Sequence, residues 1–192
     1  MDATVATRLF RGVARREVLA AAALITAGGP ASSARPTDSP HARAFDFLHG
    51  RWRVRHRKLR QRLAGSSDWF EFPGTLAVDP ILGGLGNFDE NVLDDPTGKY
   101  VAHSLRLYCP DTDQWSIWWL DGRAPALDTP VVGSFRERKG TFFSDDSFGG
   151  RPIKVRTTYT PLTVGNAQWT QAFSADGGAT WEVNWIMDFA RA

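Results

Sequence analysis

From Phe45 onward, apolar and polar residues alternate in short runs separated by turn-forming clusters. A period of two is the signature of strands that turn one face inward. The alternation predicts strands over 51–63, 69–78, 88–93, 100–109, 114–120, 131–137, 141–147, 153–159, 168–174 and 180–189. The clusters GSSD, PILGGLGN, DDPTGK, PDTD, ERKG, FGGRP, TVGN and ADGG mark the connections. Only 44–49 predicts a helical turn, with Phe45 and Leu48 on one side. About ten antiparallel strands at this spacing define an all-β barrel or sandwich. Short sequential connections favour an up-and-down barrel, whose closure removes the edges that long aromatic strands would expose.

Composition supports this picture. The 192 residues include 8 Trp, 12 Phe and 3 Tyr, with 18 Gly and 11 Pro as punctuation. The formal charge of +2 comes from the N-terminus. Residues 1–34 carry Arg8, Arg11, Arg15 and Arg16 against Asp2 and Glu17, and the rest of the chain is neutral. Nothing therefore points to nucleic acid. The single Cys109 has no partner for an intramolecular disulfide, and its apolar surroundings predict a buried, inert thiol.

Residues 15–29, RREVLAAAALITAGG, place two arginines before a short apolar run and small residues after it. That order predicts an export signal, cleaved after Ala34, and a periplasmic or extracellular destination in a bacterium. The run is too short for a transmembrane helix. Arg15-Arg16-Glu17-Val18-Leu19 resembles the twin-arginine signal, although Ala14 and Ala20 replace its usual flanking residues. Residues 35–43 predict a linker, and 44–192 the barrel domain.

Strand parity supplies the candidate site. With Trp52 inward, Val54 and His56 also point inward, and Arg51, Arg53, Arg55 and Arg57 form an outer ladder. Glu71, Asp89 and Glu90 are its expected partners. In the hairpin 100–121, one face combines Tyr100, Ser104, Arg106, Tyr108, Trp115, Ile117, Trp119 and Asp121, with His103 on the other. The first face has the composition of a ligand pocket and is expected to line the lumen. His56, Asn91, Arg106, Trp119, Asp121, Gln171 and Trp185 are the ligand-binding candidates. Arg106 would hold an anionic or carbonyl group, with Asp121 or Glu90 as alternative partners. The expected ligand is a small hydrophobic or aromatic molecule. One alternative is an enzyme with His56 as general acid or base. Another is a solid barrel with a structural or interaction role. PILGGLGN lacks the Lys-Ser/Thr of a phosphate loop and is expected at the barrel mouth.

No metal-ligand spacing appears among the four His. β-Barrel haem proteins similar to nitrobindin use one axial His, a minor possibility for His56. The chain lacks their glycine-rich first-strand motif and has no His in its last strands.

Ser174-Ala175-Asp176-Gly177-Gly178-Ala179-Thr180-Trp181 resembles the Asp-box of sialidases and other β-propellers. A propeller needs a series of such blades, and one copy predicts a turn between the last two strands. Gly50-Arg51-Trp52 resembles the G-x-W signature of lipocalins and other calycins. That resemblance implies a Trp at the closed end of the barrel, packed on a basic residue of the last strand, here Arg191. With FDFLHGRWRVRHRKL, ILGGLGNFDEN, SLRLYCPDTDQWSIWWLDGR and SADGGATWEVNWIMDF, the chain resembles the calycin-like bacterial family called domain of unknown function 1579. The resemblance implies a lipocalin-type barrel with a small-molecule pocket, and no particular reaction.

Overall fold

The structure is a computed structural model that describes residues 39–192. The expected export signal, its twin-arginine motif and residues 35–38 lie outside the described residues. The chain forms β1 (Gly50–Leu59), β2 (Trp69–Ile81), β3 (Gly86–Leu93), β4 (Tyr100–Cys109), β5 (Gln114–Asp121) and β6 (Ala124–Leu127). It continues through β7 (Val131–Arg136), β8 (Lys139–Phe148), β9 (Arg151–Thr163), β10 (Asn166–Ser174) and β11 (Glu182–Arg191). All pairings are antiparallel. Neighbouring strands run β4-β3-β2-β1-β11-β10-β9-β8-β7-β5, and β4 also pairs with β5. The sheet is thus a closed ten-strand barrel, with β6 pairing with the end of β5 beyond β7. No helix among the described residues is long and apolar enough to cross a membrane.

Several boundaries differ from the alternation: β2 and β9 run longer than expected, and β1 ends early and β11 begins late for local reasons. β1 stops at Leu59, and Leu63 adopts a left-handed φ of 56° while its amide binds Glu182. β6 was not expected, because Ala124–Leu127 is exposed throughout and shows no alternation of burial. β11 begins at Glu182, because the Thr180 amide is held by Asp176.

One end of the barrel is packed solid. The 3-10 turn Asp46–Leu48 lies there, and Phe45 enters the lumen beside it. The Phe45 ring meets Trp115 and Phe135 edge-on at 4.8 Å, and Tyr159 at 5.0 Å. Trp52 donates its indole N–H to Leu48 O at 2.7 Å. The Arg191 guanidinium lies 3.8 Å from the centre of the Trp52 ring and also donates to Phe47 O and His49 O. Gly50 makes this approach possible: its φ is 108°, and a Cβ there would stand 2.6 Å from Arg191 Nη1. Residues 39–43, expected as linker, pack on the same end. Ala42 is buried, and His41 O accepts the Trp115 indole N–H.

Several expectations need correction. PILGGLGN closes this solid end and not the mouth, because Gly50 pairs with Val78 and the β2–β3 hairpin turns beside it. Cys109 is exposed, since it lies at the end of β4 against the first residue of β5. In the outer ladder, Arg55 pairs with Glu71 and Asp188, Arg57 with Asp188, and Arg51 with Asp79. Asp89 points inward and takes no part in the ladder.

Candidate functional site

The register sets which residues share a level of the lumen. Below the middle, Arg106 and Asp89 reach each other diagonally from β4 and β3, because Asp89 stands opposite Ser104. Arg106 Nη2 donates to Asp89 Oδ2 at 2.6 Å, and Nη1 to Asn87 Oδ1 at 2.9 Å. Tyr159 OH accepts from the same guanidinium at 3.1 and 3.3 Å. Asp89 Oδ1 takes the Ser104 amide at 2.7 Å. Burial opposes the charge on Arg106, but Tyr159 and Asp89 outweigh it and hold the group above its ordinary value. A buried charge survives when it is paired and hydrogen-bonded in this way.

Above this network the lumen opens. A cavity of about 450 Å³ extends to the other end of the barrel. Its floor includes Tyr159, Met187 and Ser104, and its walls carry Trp119, Trp169 and Trp185. The rings of Trp119 and Trp169 meet Trp185 edge-on at 5.7 and 5.2 Å. Thr157, also on the wall, is buried, and its Oγ1 has no hydrogen-bond partner. Unpaired buried polar atoms are scarce and each costs free energy.

Charged groups line the upper part. Lys58 is buried, with Nζ 3.8 Å above the Trp185 ring, 3.0 Å from Tyr100 OH and 3.6 Å from Asp95. Burial pushes Lys58 down to about 8, with Asp95 pulling the other way, and pushes Tyr100 up to about 12. Arg123 grips Asp121 through two hydrogen bonds of 2.9 and 2.6 Å, which lower the Asp121 carboxyl. The same guanidinium lies 3.6 Å from the centre of the Tyr100 ring. Arg62, Asp128 and Asp146 complete the rim.

Of the candidates from the sequence, Trp119, Asp121, Gln171 and Trp185 line this cavity. Arg106, His56 and Asn91 do not. Arg106 is consumed by Asp89, and neither Asp121 nor Glu90 is its partner. His56 is fully buried behind Trp185. It stacks on Phe72 at 4.7 Å, and its Nδ1 accepts from Trp185 Nε1 at 3.3 Å. Its Nε2 lies 2.7 Å from where a Cβ on Gly74 would stand, so the β2 backbone covers that nitrogen. Burial, helped by the Lys58 charge, pushes the imidazole down to about 3. A haem iron approaching either nitrogen would have to displace Trp185 or β2. Asn91 is also fully buried, with Nδ2 against Met187 Sδ at 3.7 Å. No group of three or more His, Cys, Asp or Glu among the described residues has the arrangement of a metal site.

Sequence reasoning missed Lys58, Arg62, Ser104 as a floor group, Thr157 and Trp169. Lys58 had a usable signal, because it shares parity with Trp52, Val54 and His56 (the arginines around it hide this). Arg62 had none, since its position follows from where β1 leaves the sheet.

The Asp-box-like segment turns at the same end as the cavity. Asp176 accepts from Ser174 Oγ, Thr180 N and Thr180 Oγ1, and these bonds hold its carboxyl well below the usual range. Gly177 and Gly178 take φ of 76° and 103°. Trp181 donates to Gly178 O at 3.0 Å. The segment is a self-contained turn between β10 and β11.

No family model matches the chain, and no curated protein matches it. Among solved structures it is similar to one described as "Structure of EF1p2_mFAP2b bound to DFHBI". The two are 14% identical, over 79% of this chain and 99% of the other, with a TM-score of 0.41.

Proposed function

We propose that the protein is an exported, calycin-like barrel that binds a small, largely apolar or aromatic molecule in the open half of its lumen. The observation that carries this reading is the cavity itself. Its volume of about 450 Å³ falls in the range of small-molecule sites, about 300–1,000 Å³. Three indoles, Trp119, Trp169 and Trp185, form its walls, and a few polar side chains, among them Lys58, Ser104 and Gln171, line it. Apolar walls with sparse polar anchors suit a planar ring system stacked against Trp119, Trp169 or Trp185. The calycin assignment is supported by Arg191 lying on Trp52 at the closed end, and export by the twin-arginine-like N-terminus. His56 offers no support for an enzyme, because it lies outside the cavity with both nitrogens covered.

Titration with N-phenylnaphthylamine, a neutral aromatic dye, tests the reading. Saturable one-to-one binding with quenching of the cavity indoles is expected. Thr157→Trp, which fills the cavity, is expected to abolish it while leaving the circular dichroism spectrum unchanged. Absence of saturable binding to the wild-type protein, or full binding by the filled variant, would overturn it. The mass of the mature protein recovered from outside the cytoplasm tests the export signal, and a chain beginning at Arg35 is expected.

A further inference from the structure

The cations around the cavity pair off with one exception, Arg62, and the rim carboxylates Asp128 and Asp146 are also without ion pairs among the described residues. Lys58 faces Asp95, Arg123 is clamped on Asp121, and Arg106 beneath the floor is held by Asp89. Arg62 lines the cavity and is half-buried. No carboxylate of the described residues lies within ion-pair distance of it. Glu182 acts on it only through space, without a salt bridge, while its Oε1 accepts the Leu63 amide at 2.6 Å.

The Arg62 guanidinium faces two aromatic rings. It lies 5.8 Å from the Phe173 ring centre and 6.0 Å from Phe148. The left-handed turn at Leu63 and its bond to Glu182 fix where the chain leaves β1. A partly desolvated guanidinium without a salt bridge keeps its hydrogen-bond donors free for a planar anion.

The opposite rim carries Asp128 and Asp146, but both are exposed. Water and salt screen such carboxylates, so their effect on a bound charge is weak. Arg62 therefore dominates the field felt by a group entering over Phe173.

We propose that the ligand is an aromatic or apolar anion, with its ring system among the cavity indoles and a carboxylate- or sulfonate-type group on Arg62. This role was expected of Arg106 from the sequence, and the structure moves it to the mouth. The inference rests on the binding reading given above.

Two dyes that share one ring system separate the two claims. Anilinonaphthalene sulfonate carries a fixed negative charge, and N-phenylnaphthylamine carries none. The wild-type protein is expected to bind the sulfonate about tenfold more tightly, the scale of one charge-assisted hydrogen-bonded contact. Arg62→Gln is expected to remove that preference and leave the affinity for the neutral dye unchanged, and Arg62→Lys to restore part of it. Equal affinity of the wild-type protein for both dyes would overturn the inference and leave the binding reading standing. So would an Arg62→Gln variant that weakens both dyes alike, which would mean that Arg62 only packs the rim. Failure of both dyes to bind would overturn the binding reading itself.

Discussion

The two halves of this barrel are built from the same alternating strands and differ in how completely they are satisfied. In the closed half, Phe45 fills the lumen among Trp115, Phe135, Phe142 and Tyr159, and the buried cation Arg106 has a carboxylate, an amide and a phenol around it. In the open half, indoles surround a cavity, a buried hydroxyl lacks a partner and the rim cation Arg62 makes no salt bridge among the described residues. Packing and pairing in the first half provide stability and leave nothing for a ligand. The second half forgoes some of that stability and keeps surface and charge available for binding.

The largest effects are expected from breaking the closed half. Arg106→Ala leaves Asp89 buried and uncompensated, and should destabilise the fold by about 3–5 kcal/mol. Phe45→Ala should cost about as much by opening a cavity among its rings. Urea denaturation measures both. The matching changes in the open half, Trp119→Ala and Arg62→Gln, should cost about 1 kcal/mol or less, because those side chains border space and solvent. Comparable losses in the two halves would erase the contrast.

A pH-dependent effect follows from His56. Its folded value of about 3 lies below the unfolded value of about 6.5. Between these values the unfolded chain binds the proton and the folded chain does not. Stability therefore falls on acidification through that window, by up to about 1.4 kcal/mol per pH unit from this one group. His56→Gln should flatten that part of the stability–pH profile, and an unchanged slope would place the histidine in contact with solvent. The smallest effect belongs to the outer ladder. Arg57→Ala should change stability by under about 1 kcal/mol, as for other partly exposed ion pairs.

Much of this architecture was legible in the alternation, because a half-buried strand must repeat every two residues. Parity also oriented the β4–β5 hairpin, placing Trp119 and Asp121 in the lumen with Tyr100, Ser104 and Arg106. What parity cannot supply is register between strands. Asp89 and Glu90 differ by one residue, and only the β3–β4 register shows that Asp89 meets Arg106 while Glu90 faces solvent. His56 points inward as parity requires, but being inside a barrel is not the same as lining its cavity. Trp185 and Phe72, from β11 and β2, close over it. Arg62 lies beyond the end of the periodic pattern, where only the turn at Leu63 determines its position.

The central claim is that one half of the lumen receives a ligand and the other does not. Indole N–H resonances of the eight tryptophans, followed by nitrogen-15 NMR during titration with N-phenylnaphthylamine, test it directly. The account predicts that Trp119, Trp169 and Trp185 shift to saturation while Trp52 and Trp115 stay fixed. Shifts at Trp52 and Trp115, or no shift at the three cavity indoles, would contradict it.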